Sequence, residues 1–366
     1  MALLKDLYCP VFYNQLSDSL SRILPEFDPQ LFLKHIYTDD FQKMELKQRM
    51  RHTTNAIHEF LPPADFPRAA HYLTQLVGQF KKDGIAGDLV FIFLPDYIEC
   101  HGLEHFQASV EAMELITQFV SCEFAVRPFL LKYGIKMMEQ MQCWSLHENH
   151  KVRRLATEGC RPRLPWAVAV PRLKQDPSPI LPILENLKND PSDFVRKSVA
   201  NNINDISKDH PEVVLDIASR WKGFSKETDA IIKHGCRTLL KQGHSKILQH
   251  YTLDSKDIDC IDFKILTPEV KIGDDLEFSF QLRNKSRSAK TIRLEYALYY
   301  KRQNGKASRK VFKISEKIYP PAESTTVNRK QSFKLITTRK FYAGMHQLSV
   351  IVNGTEKERL DFNLTF

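Results

Sequence analysis

Two rhythms of apolar positions run through this 366-residue chain, and they change over near residue 255. Up to about Tyr251, apolar side chains recur at three and four. Leu115, Ile116, Phe119 and Val120 form one stripe, Val152, Leu155 and Ala156 a second, and Val199, Ile203 and Ile206 a third. That spacing turns one face of a helix toward a core. Asp190-Pro191 predicts a capping carboxylate ahead of a first-turn proline, whose missing N–H costs nothing there, and Asp209-His210-Pro211-Glu212 repeats the arrangement. Gly159, Gly235 and Gly243 are expected breaks or C-caps, although Gly235 also fits a helix interior.

The helical part is internally repetitive. Val152-Arg153-Arg154 and Val195-Arg196-Lys197 stand 43 residues apart, and Ile231-Ile232-Lys233 follows 36 later, each ahead of a run of small residues. This spacing suits degenerate HEAT-like helix pairs, which stack into a curved array with a concave inner face. Beyond residue 255 the period becomes two: Leu276, Phe278, Phe280 and Leu282; Ile292, Leu294, Tyr296, Leu298 and Tyr300; Leu360, Phe362, Leu364 and Phe366. Asn304-Gly305 marks a hairpin between two such runs. The expected fold class is therefore α + β in two domains. An α-solenoid of HEAT-like repeats occupies residues 1–255, and an all-β immunoglobulin-like sandwich of about seven strands occupies residues 258–366.

Composition narrows the picture. Apolar residues make up 42% and charged residues 27%, which permits a buried core and excludes wholesale disorder. The longest apolar run, Leu89 to Leu94, stops at Pro95, far short of the roughly 20 residues of a spanning helix. Met1-Ala2-Leu3-Leu4-Lys5-Asp6 lacks the layout of a signal peptide, so a soluble, unexported protein is expected. Seven widely spaced cysteines with no Cys-x-x-Cys pair suit reduced thiols. Cys143, His147 and His150 are three soft ligands in eight residues, but no fourth is evident, so a helix start that carries them by chance is preferred. Charge is uneven. Residues 261–366 hold 21 Lys and Arg against 11 Asp and Glu, a net of +10, whereas the preceding residues net −1. A polyanionic partner is the leading explanation, with solubility as the alternative.

Four segments then point further: Phe93-Leu94-Pro95-Asp96-Tyr97, Glu123–Phe129, Ala156–Trp166 and Val195–Asn202. They resemble bacterial DNA alkylation-repair glycosylases of the AlkC type, relatives of AlkD built on HEAT-like repeats. The helical similarity covers most of residues 1–250, and the appended sandwich is similar to the longer AlkC subgroup. The resemblance implies excision of 3-methyladenine, 3-methylcytosine and 1-methyladenine from duplex DNA, without a deep base-flipping pocket. It implies Glu123, Glu158 and Trp166 as catalytic residues, with Asp205 a weaker candidate. It implies no metal and no organic cofactor. Double-stranded DNA with alkylated bases is the expected partner; a monomer with no membrane and no obligate protein partner is expected, acting on the nucleoid in a bacterial cytoplasm.

The residues have chemical readings of their own. Glu123 lies one helical turn before Arg127, on the face of Ile116 and Val120, so an (i, i+4) ion pair worth a few tenths of a kcal/mol is one reading. Pro128 disturbs bonding to the carbonyl of Phe124, which suggests instead a bent helix shaping a concavity around a carboxylate. Glu158 falls in the last turn of a helix ending at Gly159, where the macrodipole disfavours it by roughly 0.3–1 kcal/mol. Nearby arginines offset that, or the carboxylate awaits a cationic ligand. Trp166, after a proline-rich turn, is either core or a platform for a cationic base. Arg127, Arg154, Arg161, Arg163 and Arg196 are the expected phosphate contacts of the helical part. Arg283, Lys285, Arg287, Lys301, Arg302 and Lys306 are those of the sandwich. The rival readings are a non-enzymatic HEAT-repeat scaffold, which has no need of the carboxylate–tryptophan set, and a DNA-binding protein without chemistry, which lacks a clear recognition-helix pair. A nuclease is weaker, since no acidic cluster has metal spacing.

Overall fold

The computed structural model describes residues 3–62, 65–336 and 339–366, so Met1 and Ala2 of the start read above lie outside them. Among the described residues sixteen α-helices run between Pro10 and His250, and eight strands between Ile258 and Thr365. An α-solenoid of HEAT-like repeats is thus followed by an immunoglobulin-like sandwich. The chain packs as two units: residues up to 210 together with 221–235, and residues 211–220 together with 236–366. No described helix is long and apolar enough to cross a membrane.

In the first unit the expected stripes are inside. Val152, Leu155, Ala156, Val199, Ile203 and Ile206 are buried. The Asp193–Ile206 helix packs between the His150–Gly159 and Lys226–Gly235 helices. Close approach explains two glycines read as breaks. A Cβ on Gly159 would stand 2.5 Å from Val126 Cγ2, and one on Gly235 would stand 2.6 Å from Ile203 Cγ2. Gly243, with φ +71°, is a left-handed C-cap as expected. A bonding device recurs along with the helices. Arg153 Nη1 donates to the carbonyls of His147 (3.0 Å) and Glu148 (2.7 Å), six and five residues back. Arg196 Nη1 donates to those of Asp190 and Pro191, 2.8 Å each, at the same offsets.

Local readings differ in three places. The stripe at residues 115–120 is not one helix: the Phe106–Ile116 helix stops at Ile116, Phe119 and Val120 are buried in the following turn, and Leu115 is exposed. Asp190 is not the N-cap of its helix, a position held by Ser192. Asp190 Oδ1 accepts from Ser192 N (2.8 Å), and its carboxylate receives Arg153 twice, at 2.6 and 3.0 Å. Pro211 does open a helix, but the N-cap is His210, and Asp209 turns to Arg163 instead.

In the second unit a three-stranded sheet and a five-stranded sheet enclose one apolar core. The strands are β1 (Ile258–Ile265), β2 (Glu269–Lys271), β3 (Asp275–Asn284), β4 (Lys290–Lys301), β5 (Ala307–Tyr319), β6 (Ser324–Ser332), β7 (Gly344–Val352) and β8 (Thr355–Thr365). Their orders are β1-β3-β6 and β2-β8-β7-β4-β5, all antiparallel except β2 on β8. Alternation sends Phe278, Phe280, Leu294, Leu298, Leu348 and Phe362 inward, while Phe366 is exposed at the chain end. The eighth strand, β2, has three residues, too few to show a period. Asn304-Gly305 sits in the β4–β5 turn, closed by Arg302 N donating to Lys306 O (2.9 Å). The tighter turn is Asn353-Gly354. The Asn353 side chain accepts from Arg293 N (2.7 Å) and donates to Asp254 O (2.7 Å) and Thr291 O (3.1 Å). A Cβ on Gly243 would lie 2.9 Å from Gly354 O, so helix end and hairpin turn are in van der Waals contact.

Candidate active site

The site is assembled where the helix repeats leave loops side by side. Glu123 belongs to a turn rather than a helix: the Val126–Tyr133 helix starts after it, with Pro128 in the first turn, where it bends nothing. Its partner is therefore not Arg127. Ser121 Oγ donates to Glu123 Oε2 (2.9 Å), and Arg154 Nη1 forms an ion pair with the same oxygen. Glu123 Oε1 takes no hydrogen bond among the described residues. Arg154 projects from the His150–Gly159 helix, and its guanidinium lies 4.7 Å from the ring centroid of Phe194.

From Glu123 a chain of alternating charge runs inward. Arg154 Nη2 is 3.5 Å from Glu158 Oε1, which also receives Arg161 Nη1 at 2.6 Å. Arg161 Nε donates to Asp205 Oδ2 (2.9 Å), and Lys208 Nζ closes the chain on Asp205 Oδ1 (3.1 Å). Ser198 Oγ donates to Glu158 Oε2 at 2.6 Å. Glu158 is 5% exposed and Asp205 2%, so both oxygens of each carboxylate are engaged inside the protein. Burial opposes the charge on Arg161, but Glu158 and Asp205 outweigh it and hold the guanidinium above its ordinary value.

Trp166 is presented, not packed. It is 67% exposed with φ +65°, a left-handed conformation costly for a bulky side chain, so its surroundings must impose it. Two clamps do so. Lys47 Nζ donates to Trp166 O (2.8 Å), while Arg127 donates to the carbonyls of Gly159, Arg161 and Val168 (2.8, 2.8 and 2.9 Å), gripping the loop on both sides of the indole. Trp166, Glu123, Glu158, Phe124 and Leu164 line a cleft of about 510 Å³.

The helical arginines expected at phosphates are already committed. Arg127 is 1% exposed, and burial pushes its guanidinium down to about 10, so it is a loop brace and not a surface contact. Arg154 and Arg161 serve the carboxylates, Arg196 ties back its own loop, and Arg163 binds Asp209 with Nε at 3.1 Å and Nη2 at 2.7 Å. Asp205 does not line the cleft, and its link to it is the bond from Arg161, which does. Ser121, Phe194, Ser198 and Lys47 were not singled out from sequence, although Ser198 lies inside one of the four resembling segments. His147 Nδ1 accepts from Asn149 N at 2.9 Å, so that histidine of the Cys143 group serves a helix start.

In the sandwich, Arg283, Lys285, Arg287, Lys301, Arg302 and Lys306 are all exposed. They do not form one cluster. The first three stand at the end of β3 and in the β3–β4 turn, the others at the far end of β4 and in the β4–β5 turn. Eleven steps along β4 at ~3.3 Å separate the groups by roughly 36 Å. Lys285 pairs with Asp259 (3.0 Å), and Lys301 Nζ donates to Ala343 O (3.2 Å).

Comparison with known proteins bears on both units. The family described as "DNA alkylation repair enzyme" matches residues 108–222, which contain Glu123, Glu158, Trp166 and Asp205. The family described as "Uncharacterised protein YhaZ, C-terminal Ig-like domain" matches residues 259–366. The YhaZ protein of Bacillus subtilis (strain 168) is 44% identical over 365 residues, covering 100% of both chains. The structure of Pseudomonas fluorescens alkylpurine DNA glycosylase AlkC, bound to DNA containing an abasic site analog, is similar at 32% identity with a TM-score of 0.93. It too covers 100% of both chains.

Proposed function

This chain belongs to the AlkC-type family of DNA alkylation repair proteins, and from that premise we propose that it hydrolyses the N-glycosidic bond of cationic alkylated bases in duplex DNA. The substrates are 3-methyladenine, 3-methylcytosine and 1-methyladenine, handled without an enclosed base-flipping pocket. The observation that carries the reading is Glu123: one carboxylate oxygen is fixed by Arg154 and Ser121 while the other is left toward a cleft walled by an exposed tryptophan.

Alkylation places positive charge on the base, and the indole face of Trp166 attracts such a cation by roughly 0.5–2 kcal/mol. That attraction weakens as the bond breaks, because the C1′–N electron pair leaves with the base, which departs neutral. Charge then develops on the sugar. At ~4 Å from C1′, Glu123 Oε1 would stabilise an oxocarbenium ion by at most about 4 kcal/mol at an effective dielectric near 20, a ceiling of about three powers of ten in rate. As water adds to C1′, the same oxygen accepts its proton, and the products are an abasic site, the free base and one proton. Glu158 and Asp205 contribute by holding Arg154 and Arg161. They keep the Glu123 side chain oriented before substrate arrives, so little reorganisation remains at the transition state.

The basic turns of the sandwich are the proposed phosphate contacts outside the helical unit. The test is incubation of the pure protein with duplex DNA carrying each methylated base, with chromatographic identification of what is released. Folded protein that frees none of the three bases would refute the proposal.

A further inference from the structure

Behind Trp166 lies a second cleft, of about 550 Å³, that the reaction described above does not use. It shares Leu89, Ile92, Phe124 and Trp166 with the first, so the two stand on either side of the same aromatic partition. With the four shared residues, eleven of its eighteen lining residues are apolar, Met50 and Pro95 among them, and polar side chains make up the rest, the lining of a small-molecule site.

Most of its polar groups already have partners, inside the cleft or beyond it. Arg51 meets Asp96 through two 2.8 Å bonds, Thr54 Oγ1 donates to Asp96 Oδ2 (2.7 Å), and Lys47 holds the Trp166 carbonyl. Asn55 and Glu99 are the exceptions: among the described residues neither takes a hydrogen bond or an ion pair, and of the two Glu99 is half-buried where it lines the cleft. Burial, and then Asp96, raise its carboxyl above the ordinary range.

We infer that this second cleft holds the base after its release, as a planar, neutral, N-methylated purine or pyrimidine, with Glu99 pairing to its amidine edge. The inference rests on the glycosylase reading above. A carboxyl that shares a proton offers one donor and one acceptor side by side, the complement of an amino group next to a ring nitrogen. The apolar walls suit a flat ring, and Asp96 and Glu99 are matched by Arg51 and Lys47, so the cleft has no excess of positive charge to draw a phosphate. The shared partition sets the two clefts side by side, so a leaving base has only that partition to pass.

The test uses the full chain and free 3-methyladenine, titrated calorimetrically, beside single-turnover excision by the same unsubstituted protein. Binding is expected, weakened about tenfold or more by Glu99→Met but within about threefold for Glu99→Gln, whose amide keeps a donor and an acceptor. Met50→Trp, which fills the cleft, is expected to weaken binding as strongly. In the unsubstituted protein, added 3-methyladenine should slow multiple-turnover excision. An active protein that does not bind the base, or binding untouched by both Glu99→Met and Met50→Trp, overturns the inference. So does a loss of DNA affinity in those variants with base binding intact, since a DNA strand would then occupy the cleft. Absence of excision by unsubstituted protein counts against the proposed function, not this site.

Discussion

A carboxylate acts on a reaction only with an oxygen it has not already given away, and that separates Glu123 from Glu158. Glu123→Gln should lower single-turnover excision more than about tenfold while binding to abasic-site DNA changes little, because the interaction removed belongs to the transition state. Glu158→Gln should lower excision comparably and also lower the unfolding midpoint, since one buried guanidinium, Arg161, and one half-buried, Arg154, lose their shared anion; a midpoint unchanged from the unsubstituted protein would contradict that division. Charge sign in the sequence could not tell a phosphate-seeking arginine from one that braces carbonyls. Arg127 looked like the former, and its three carbonyl partners lie 32 to 41 residues away, beyond any local pattern. A histidine supplies the pH prediction. Burial holds His346 below its usual value, and its Nδ1 accepts from Lys301 N while Nε2 faces Tyr342 O, an arrangement of the neutral ring. The unfolded chain takes up a proton near pH 6.5 and the folded one only at lower pH, so stability falls as pH drops through that window. Urea midpoints between pH 7.5 and 5 should decline, and less steeply in His346→Gln; parallel declines would exclude His346 as the source.

Elements were legible where one period persists for two turns or four alternations. The helix beginning at Asp193 and strands β3 and β4 came directly from spacing, because their apolar faces meet continuous cores. The turn at Glu123 did not, for a physical reason: tight turns keep a spacing near three, so Phe119 and Val120 prolong the helical stripe after the helix has ended. Nor could Asp190 be told from a cap, since the same carboxylate chemistry serves a turn two residues earlier. The Asn353-Gly354 hairpin was also unreadable, because its three amide bonds reach two other segments. Those bonds predict a cost. Asn353→Ala leaves a buried N–H and two carbonyls short of a partner and should destabilise the protein by about 3 kcal/mol. Chemical denaturation measures this directly; a loss below about 1 kcal/mol would show that the turn does not depend on that side chain.

Across the whole molecule, charge is partitioned: net −1 before residue 261 and +10 after it. With the five helical arginines committed internally, salt-sensitive DNA binding should reside in the sandwich turns. Replacing Lys301, Arg302 and Lys306 together by Gln should reduce the log–log salt slope by about 0.9 for each phosphate that is no longer neutralised. An unchanged slope would assign these side chains to some other partner. The length of β4 then becomes a ruler. Its two basic ends stand roughly 36 Å apart, close to the ~34–36 Å of one B-DNA turn. A duplex lying along the strand would bring the same side of its backbone to both ends, and a shorter one would reach a single end. Affinity should therefore rise in a step as duplex length passes about one turn, not by equal increments per base pair. Neutralising either end should erase the step and leave short duplexes bound about as before by the other.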